Sequence, residues 1–262
     1  MPQRHNISTA FSKILFVAAT LIVCQLFFCA QEAAAKRRRP LTVGGRMAVV
    51  VDERLSALRD APDLTATLLR RIGRGRLVAL TGARRDGDGV TFYRVAVTRR
   101  TSGWMQGEAF VSAGRAGDDE RLLRLIRGSE EFDRIERARL FLEHFPSSRL
   151  RPAVLLLYAD AAASAAARLT RDALRRLDDG EMRAGDAPPH SYFLNFNGLD
   201  RYNRNGVRFV FDRATRQFDY DGAAWREIVR RHPRSPEAEE ARARLSAHGR
   251  RAECCGRTDN RL

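Results

Sequence analysis

The chain has little of the side-chain chemistry that disulfide frameworks and metal sites use. It contains four cysteines and five histidines in 262 residues, and Cys24 and Cys29 fall in an apolar N-terminal run. Cys254 and Cys255 are adjacent, and adjacent cysteines rarely bridge each other because a disulfide prefers a wider Cα spacing. No Cys/His spacing typical of zinc is present. We expect no metal site and a polar tail over residues 250–262, with an intermolecular disulfide as an open alternative.

Known catalytic motifs are also missing. The sequence has no G-x-S-x-G, no H-E-x-x-H and no P-loop. We therefore predict a protein that is not an enzyme, with no catalytic residues and no cofactor. One alternative stays open, because catalytic groups need not be adjacent in sequence. An enzyme that used residues 190–221 would need a deep pocket with converging polar groups beside Tyr192, Asn195 and Asn197.

Lysine is scarce, since Lys13 and Lys36 are the only two, and arginine supplies nearly all of a formal net charge of +15. A charge of this sign suits anionic lipid head groups, acidic wall polymers or nucleic acid. The sequence shows no recognition helix and no RNP-type aromatic motif, so we predict no nucleic-acid partner. Scattered arginines that are balanced locally by Asp and Glu are the simplest interpretation of the charge.

The N-terminal residues have the pattern of an export signal. A weakly basic leader precedes an uncharged apolar run over residues 14–30, and the alanines at 33–35 offer a cleavage site. We predict a signal peptide over residues 1–35, then a basic linker over residues 36–45, and a periplasmic or extracellular protein. An apolar run of this length is at the lower limit for crossing a bilayer. A membrane anchor that leaves the protein facing the periplasm is therefore the alternative.

Short apolar runs separated by turn residues fill residues 46–113, and this pattern predicts a small all-β barrel or sandwich. The order of the runs resembles that of bacterial SH3 domains. Pieces that resemble the family's "LNVRSGPS", "kG" with "V.vl", "WykV" and "GWV...yl" stand, in that order, at residues 55–62, 74–80, 92–95, 103–105 and 110–111. Leu58, Ala61 and Phe92 depart from the usual family residues.

This resemblance implies a small barrel that binds wall peptides or partner proteins and performs no chemistry. Tyr93 and Trp104 are the candidate binding residues, because amphipathic aromatics suit such contacts. Phe92 and Phe110 are expected in the core, because a domain of this size needs its aromatics there. For Tyr93 and Trp104, core and surface positions both stay open.

Helical periodicity replaces the strand pattern over residues 118–249. One signature occurs twice: an amphipathic helix ends at Phe145-Pro146 or at His232-Pro233, and Ser148 or Ser235 is placed to cap the next helix. This pattern resembles tetratricopeptide-like repeats of bacterial envelope proteins. The resemblance implies a helical array that binds a protein on its concave face, here along an alanine-lined groove with an arginine rim.

The two copies of the signature lie 87 residues apart, which is more than two repeats of about 34 residues. An insertion at about residues 186–221 accounts for the excess. Within it, Asn205-Gly206 stands beside the alternating Val207, Phe209 and Phe211, which predicts a β-hairpin.

The sequence thus predicts a multi-domain all-β plus all-α chain: an SH3-like barrel followed by a tetratricopeptide-like array with a hairpin insertion. We expect an exported, non-catalytic adaptor or scaffold that binds an envelope protein or a peptidoglycan peptide. An accessory module that targets a peptidoglycan hydrolase or synthase to the wall is the alternative.

Overall fold

The computed structural model of the chain describes residues 47–256, with side chains described as far as residue 249. The predicted signal peptide over residues 1–35 and the predicted linker over residues 36–45 lie outside the described residues. So does residue 46, and so does the end of the predicted tail, residues 257–262.

The first part of the described chain is a seven-stranded antiparallel sheet with the order β3-β2-β6-β5-β4-β1-β7. Its strands are β1 (Met47–Val50), β2 (Ala57–Arg59), β3 (Leu68–Arg71), β4 (Leu77–Arg85), β5 (Thr91–Ala96), β6 (Ser102–Gln106) and β7 (Phe110–Val111). The predicted strands are present, but the predicted closed barrel is wrong. Strands β3 and β7 are the two edges and do not pair with each other. The edge at β7 is instead occupied by side chains of the segment that follows it.

The second part is helical. Its helices are α1 (Asp118–Arg127), α2 (Glu131–His144), α3 (Arg151–Arg176), α4 (Asp179–Ala184), α5 (Pro189–Leu194), α6 (Asp200–Arg204), α7 (Ala223–Arg231) and α8 (Pro236–Gly256). Single 3₁₀ turns lie at Gly107–Ala109 and Asn197–Leu199. The described chain therefore combines an antiparallel sheet with a helical region. Helix α8 ends at Gly256, seven residues beyond the predicted boundary at residue 249.

Strand β1 joins the two parts because both of its faces are buried. Ala48 and Val50 belong to the core of the sheet, whereas Val49 and Val51 pack into the core of the helical region. Successive residues of a strand point to opposite faces, so an uninterrupted apolar run suits a strand that is covered on both sides. Strand β1 thus contributes side chains to the core of the sheet and to the core of the helical region.

Helix α3 is the centre of the helical region and packs against α2, α7 and the insertion. Among the described residues it is the one helix whose length and apolar composition would allow a membrane span. More than half of its apolar stretch is buried inside the protein. Its alanines, Ala159, Ala161, Ala162, Ala165 and Ala166, are buried. Small side chains let neighbouring segments approach closely, and α3 here serves as a core helix.

The two proline hinges join α2 to α3 and α7 to α8, as the repeated signature predicts. The predicted serine caps are wrong. The N-cap of α3 is Leu150, which has no side-chain cap; its backbone N–H donates to Ser148 Oγ at 3.2 Å, and Ser148 Oγ donates to Asp119 Oδ2 at 2.7 Å. Ser235 Oγ is buried and has no hydrogen-bond partner in the described part of the chain. Ser148 therefore links the start of α1 to the segment just before α3, two residues ahead of the N-cap.

The insertion contains a hairpin, formed by β8 (Phe209–Asp212) and β9 (Gln217–Tyr220). Its turn does not fall at Asn205-Gly206 as predicted. Gly206 has a φ of +73° and follows α6, where the Val207 N–H donates to the Tyr202 carbonyl oxygen at 3.1 Å. A helix C-terminus and a tight hairpin turn both need a positive φ, so Asn-Gly serves either.

Candidate binding site

Trp104 lies on the face of the sheet that points away from the sheet core. It stands opposite Arg59 of β2 and Arg94 of β5 in the strand register, and its side chain is partly exposed. The Arg84 guanidinium carbon lies 5.8 Å from the centroid of the indole ring. A cation at this distance from an exposed tryptophan contributes roughly 0.5–1 kcal/mol. Three arginines therefore surround one accessible aromatic ring.

The register extends this arrangement into a row that crosses the sheet. Leu68 of β3 stands opposite Arg59, Arg59 opposite Trp104, and Trp104 opposite Arg94. Directly opposite residues of an antiparallel pair lie on the same face of the sheet. The row contains no acidic residue. It can bind a group that combines an apolar or flat part with negative charge.

Gly103 makes this row possible. A Cβ added at Gly103 would lie 2.6 Å from the Arg59 carbonyl oxygen and 2.8 Å from Leu58 Cγ. No side chain fits at such distances, so β2 and β6 can lie this close only with a glycine at residue 103. The Gly-Trp pair that marks the sequence motif therefore has a steric role in placing Trp104 beside Arg59.

Tyr93 lies elsewhere. Its side chain is 6% exposed and points into the core of the sheet, where its ring meets that of Phe110 edge-on at 5.3 Å. The Arg115 guanidinium carbon lies 5.6 Å from its ring centroid. Phe92 and Phe110 are fully buried, which confirms the expectation that they do not lie on the surface. The structure does not bring Tyr93 and Trp104 to one surface.

In the helical region, a cavity of about 410 Å³ lies between α2, α3, α7 and the insertion. Arg139 Nε donates to Asn205 Oδ1 at 3.0 Å, and Arg151 Nη2 lies 2.9 Å from Glu227 Oε1. Burial raises the pKa of the Tyr158 hydroxyl to about 12, so this group is a neutral hydrogen-bonding group near neutral pH. The lining of this cavity therefore has charges of both signs.

The expected alanine-lined groove is filled by the chain itself. Strand β9 packs directly on α3, and Phe218 N donates to Thr170 Oγ1 at 2.8 Å. Arg139 and Arg151 border the cavity beside the insertion. The buried alanines of α3 are a packing surface inside the protein.

The residues that an enzyme in the insertion would use do not line the neighbouring cavity. Asn195 and Asn197 are exposed, and Asn195 Nδ2 donates to the Ser191 carbonyl oxygen at 2.8 Å. Tyr192 packs at the margin of the helical core. The neighbouring cavity, of about 330 Å³, is lined instead by Asp179, Met182, Arg183, Asp186, Ala187, Pro188, Pro189 and Arg216.

Within residues 47–256, no group of three or more His, Cys, Asp or Glu side chains could hold a metal ion. Comparison of the chain with protein-family models, with curated proteins and with solved structures gives no match. Sequence reasoning missed the arginines around Trp104, because only the strand register shows which residues are neighbours. Arg94, two residues after Phe92 in an alternating strand, was the available signal.

Proposed function

We propose that the protein is an exported, non-catalytic adaptor that binds an envelope protein or a peptidoglycan peptide through the sheet face around Trp104. The observation that carries this proposal is the accessible indole ring with Arg59, Arg84 and Arg94 around it. The finer assignment, an SH3-like sheet followed by a tetratricopeptide-like array, belongs to the proposal. It is supported by the strands at the expected positions and by the two proline hinges between helices.

Peptides with free carboxylates suit this surface best. The indole face can pack on aliphatic or flat groups, while the guanidinium groups bind carboxylates through paired, charge-assisted hydrogen bonds. Aromatic and arginine side chains are also the residues that most often dominate binding energy at interfaces. Arg59 Nη1 already donates to the Ala66 carbonyl oxygen at 2.5 Å, but neutral glycan alone would bring no negative charge to any of the three arginines.

A scaffold role requires that the two parts of the protein hold a fixed geometry. Arg137 of α2 is buried and donates through Nε to the Val51 carbonyl oxygen at 3.1 Å and through Nη1 to Ser129 Oγ at 2.5 Å. Arg74, in the loop after β3, pairs with Asp133 and Glu136 of α2 at 3.0 and 2.7 Å. With β1 shared by both cores, these contacts support a rigid unit that presents the Trp104 face and the helical cavity together.

Binding of the full chain to purified wall and to soluble wall peptides tests the proposal. We expect Trp104→Ala to weaken binding by about tenfold or more, corresponding to at least 1.4 kcal/mol for a central aromatic contact. Trp104→Phe should retain part of the affinity. Leu174→Ala removes an exposed apolar side chain from α3 and is the matched control.

Recovery of partners from an envelope fraction separates the adaptor from the alternative, an accessory module that targets a peptidoglycan hydrolase or synthase to the wall. Loss of wall binding in Trp104→Ala would favour an accessory module that directs a hydrolase or synthase to the wall. Loss of a protein partner with wall binding unchanged would favour the adaptor. If Trp104→Ala changes neither, the proposed role of this face is wrong.

A further inference from the structure

Residues 64–76, which include β3, combine exposed leucines with exposed arginines. Leu64, Leu68 and Leu69 are 42%, 47% and 52% exposed. Arg70 and Arg71 follow directly and are exposed, as is Arg76. Strand β3 is at the edge of the sheet and pairs only with β2 in the part of the chain that the structure describes. We call residues 64–76 the leucine–arginine edge.

A cavity of about 430 Å³ lies beside this edge. It is lined by four arginines together with small and apolar residues, and its lining contains no acid: Arg70, Arg71, Ile72, Gly73, Arg74, Gly75, Arg76, Val97 and Thr98. Arg74 is held by Asp133 and Glu136. Its Nε is buried and has no hydrogen-bond partner among the described residues, and its side chain is more than nine-tenths buried. The lining of this cavity is therefore positively charged and suits a negatively charged group.

The other arginines of the cavity are not neutralised by the protein. Arg70, Arg71 and Arg76 form no ion pair within residues 47–256, although arginines elsewhere in this range form many. The acid that does approach the loop, Glu53, accepts the Arg74 backbone N–H at 2.8 Å. The positive charges that line one cavity repel each other, so an anionic group that bound among them would be stabilised.

The edge is poorly suited to an added peptide strand. It is four residues long, and its register with β2 is interrupted between Leu58 and Arg59, where Leu69 has no partner. A short strand with a bulge and with charged side chains is the usual means by which proteins prevent strand addition. A surface that has negative charge outside and an apolar interior behind it fits the same residues better.

We infer that the leucine–arginine edge binds membranes that contain anionic phospholipids. Leu64, Leu68 and Leu69 enter the boundary between head groups and acyl chains, and the arginines bind head-group phosphates. Long arginine side chains can bind phosphate while their aliphatic parts stay in an apolar region. Leu68 also lies in the row that contains Trp104, whereas Arg70 and Arg71 do not. Variants of these two arginines leave the Trp104 row intact, so the two proposals can fail separately.

The chain contains a matched control. Leu69-Arg70-Arg71 recurs as Leu174-Arg175-Arg176 at the end of α3, where Leu174 is also 50% exposed. There Arg175 pairs with Asp172 at 3.1 Å, and the cavity with four arginines is absent. The two segments have the same residue types and differ in charge balance and shape.

Hydrogen–deuterium exchange of the full chain with vesicles tests the inference locally, so that binding by any other segment does not interfere. We expect phosphatidylglycerol vesicles to protect residues 64–76, and phosphatidylcholine vesicles to leave them unprotected. The double variant Arg70→Gln/Arg71→Gln should weaken this protection about 25-fold, because each basic residue near an anionic surface contributes about fivefold. Leu68→Ser/Leu69→Ser should abolish it. The changes Arg175→Gln/Arg176→Gln and Leu174→Ser should leave it unchanged.

Four results would overturn the inference. Equal protection by phosphatidylcholine would remove the role of charge. Equal protection by soluble glycerol phosphate would assign the cavity to free phosphate groups, and equal protection by polyglutamate would assign it to acidic peptides. Equal loss in the control variants would show a general charge effect. An unchanged urea midpoint for each variant confirms that the loss of protection is not unfolding.

Discussion

The two edges of the sheet end in different ways although arginine is prominent at both. At β7 the Phe110 carbonyl oxygen accepts hydrogen bonds from Arg115 and Arg121, and Ser112 N donates to Asp118 Oδ2 at 2.7 Å. At β3 the arginines have no acidic partner among the described residues. One edge is closed by the protein, and the other faces solvent.

The difference comes from one carboxylate. Asp118 is buried at the first residue of α1 and lies 2.8 Å from Arg115 Nε and 3.4 Å from Arg121 Nε. It holds both guanidinium groups where they can reach the strand carbonyl. The β3 edge has no equivalent acid, so its arginines stay available to other molecules. The same residue type closes an edge or equips it for binding, according to whether a buried acid orients it.

Removal of that carboxylate is expected to have the largest effect. Asp118→Ala would leave Arg115 and Arg121 partly buried without their partner, and breaking a buried pair costs about 3 kcal/mol or more in the free energy of unfolding. Urea denaturation measures this loss. Asp63→Ala, at an exposed carboxylate before β3 that accepts from Thr65, should leave the urea midpoint close to that of the wild type. Equal losses would mean that Asp118 does not distinguish the two edges.

A change next to the open edge should have an intermediate effect. Gly103→Ala would place a methyl group against the Arg59 carbonyl oxygen and Leu58, which we expect to cost about 1–3 kcal/mol in unfolding free energy. It should also displace Trp104 from Arg59 and reduce quenching of its fluorescence by soluble anionic quenchers. Gly82→Ala is the control, because its added Cβ meets Arg94 Cβ at an ordinary 3.8 Å. A neutral Gly103→Ala would contradict the steric role of this glycine.

Acid should weaken the contact between the β3 loop and α2 by a smaller amount. Hydrogen bonding and charge from Arg74 lower the pKa of Asp133 below its ordinary value. A lowered folded-state pKa gives stability that is present above the ordinary aspartate pKa and is lost as pH falls through the lowered one. Asp133 is half exposed, so we expect Asp133→Asn to cost about 1 kcal/mol or less at neutral pH. The difference in unfolding free energy between wild type and variant should shrink as pH falls below the ordinary aspartate pKa; a constant difference would contradict this account.

The smallest effect on stability is expected at the open edge itself. Leu68→Ser/Leu69→Ser should change the free energy of unfolding by less than about 0.5 kcal/mol per residue, because both side chains are already exposed. Chemical denaturation measures it. A large loss would mean that these leucines pack within the protein and are not free to bind a membrane.

The sequence predicts the strands and helices of this structure better than it predicts whether the sheet closes into a barrel. Alternating apolar residues predict the strands, and the hinges at Pro146 and Pro233 predict two helix pairs, because these signals are local. The cover on the β7 edge depends on a buried ion pair formed by Asp118, which sequence spacing does not reveal. The side of the sheet on which Trp104 lies depends on register, and two irregularities in pairing shift that register.

The same limit applies in the insertion. The aromatics and Asn205-Gly206 predict a turn correctly, but a turn at the end of a short helix and a turn within a hairpin require the same backbone conformation. Only the packing of Tyr202 and Phe218 into the helical core decides between them. Local chemistry therefore fixes the kind of turn, and long-range contacts fix its place.

Strand β1 has a mechanical consequence for the protein. The described structure begins at Met47, and β1 lies between β4 and β7 with hydrogen bonds to both. A pull from the preceding chain, parallel to the strand, would load those hydrogen bonds together in shear instead of opening them one after another. Because Val49 and Val51 reach the helical core while Ala48 and Val50 reach the sheet core, such tension would be resisted by both parts at once, and the protein would yield as one mechanical unit.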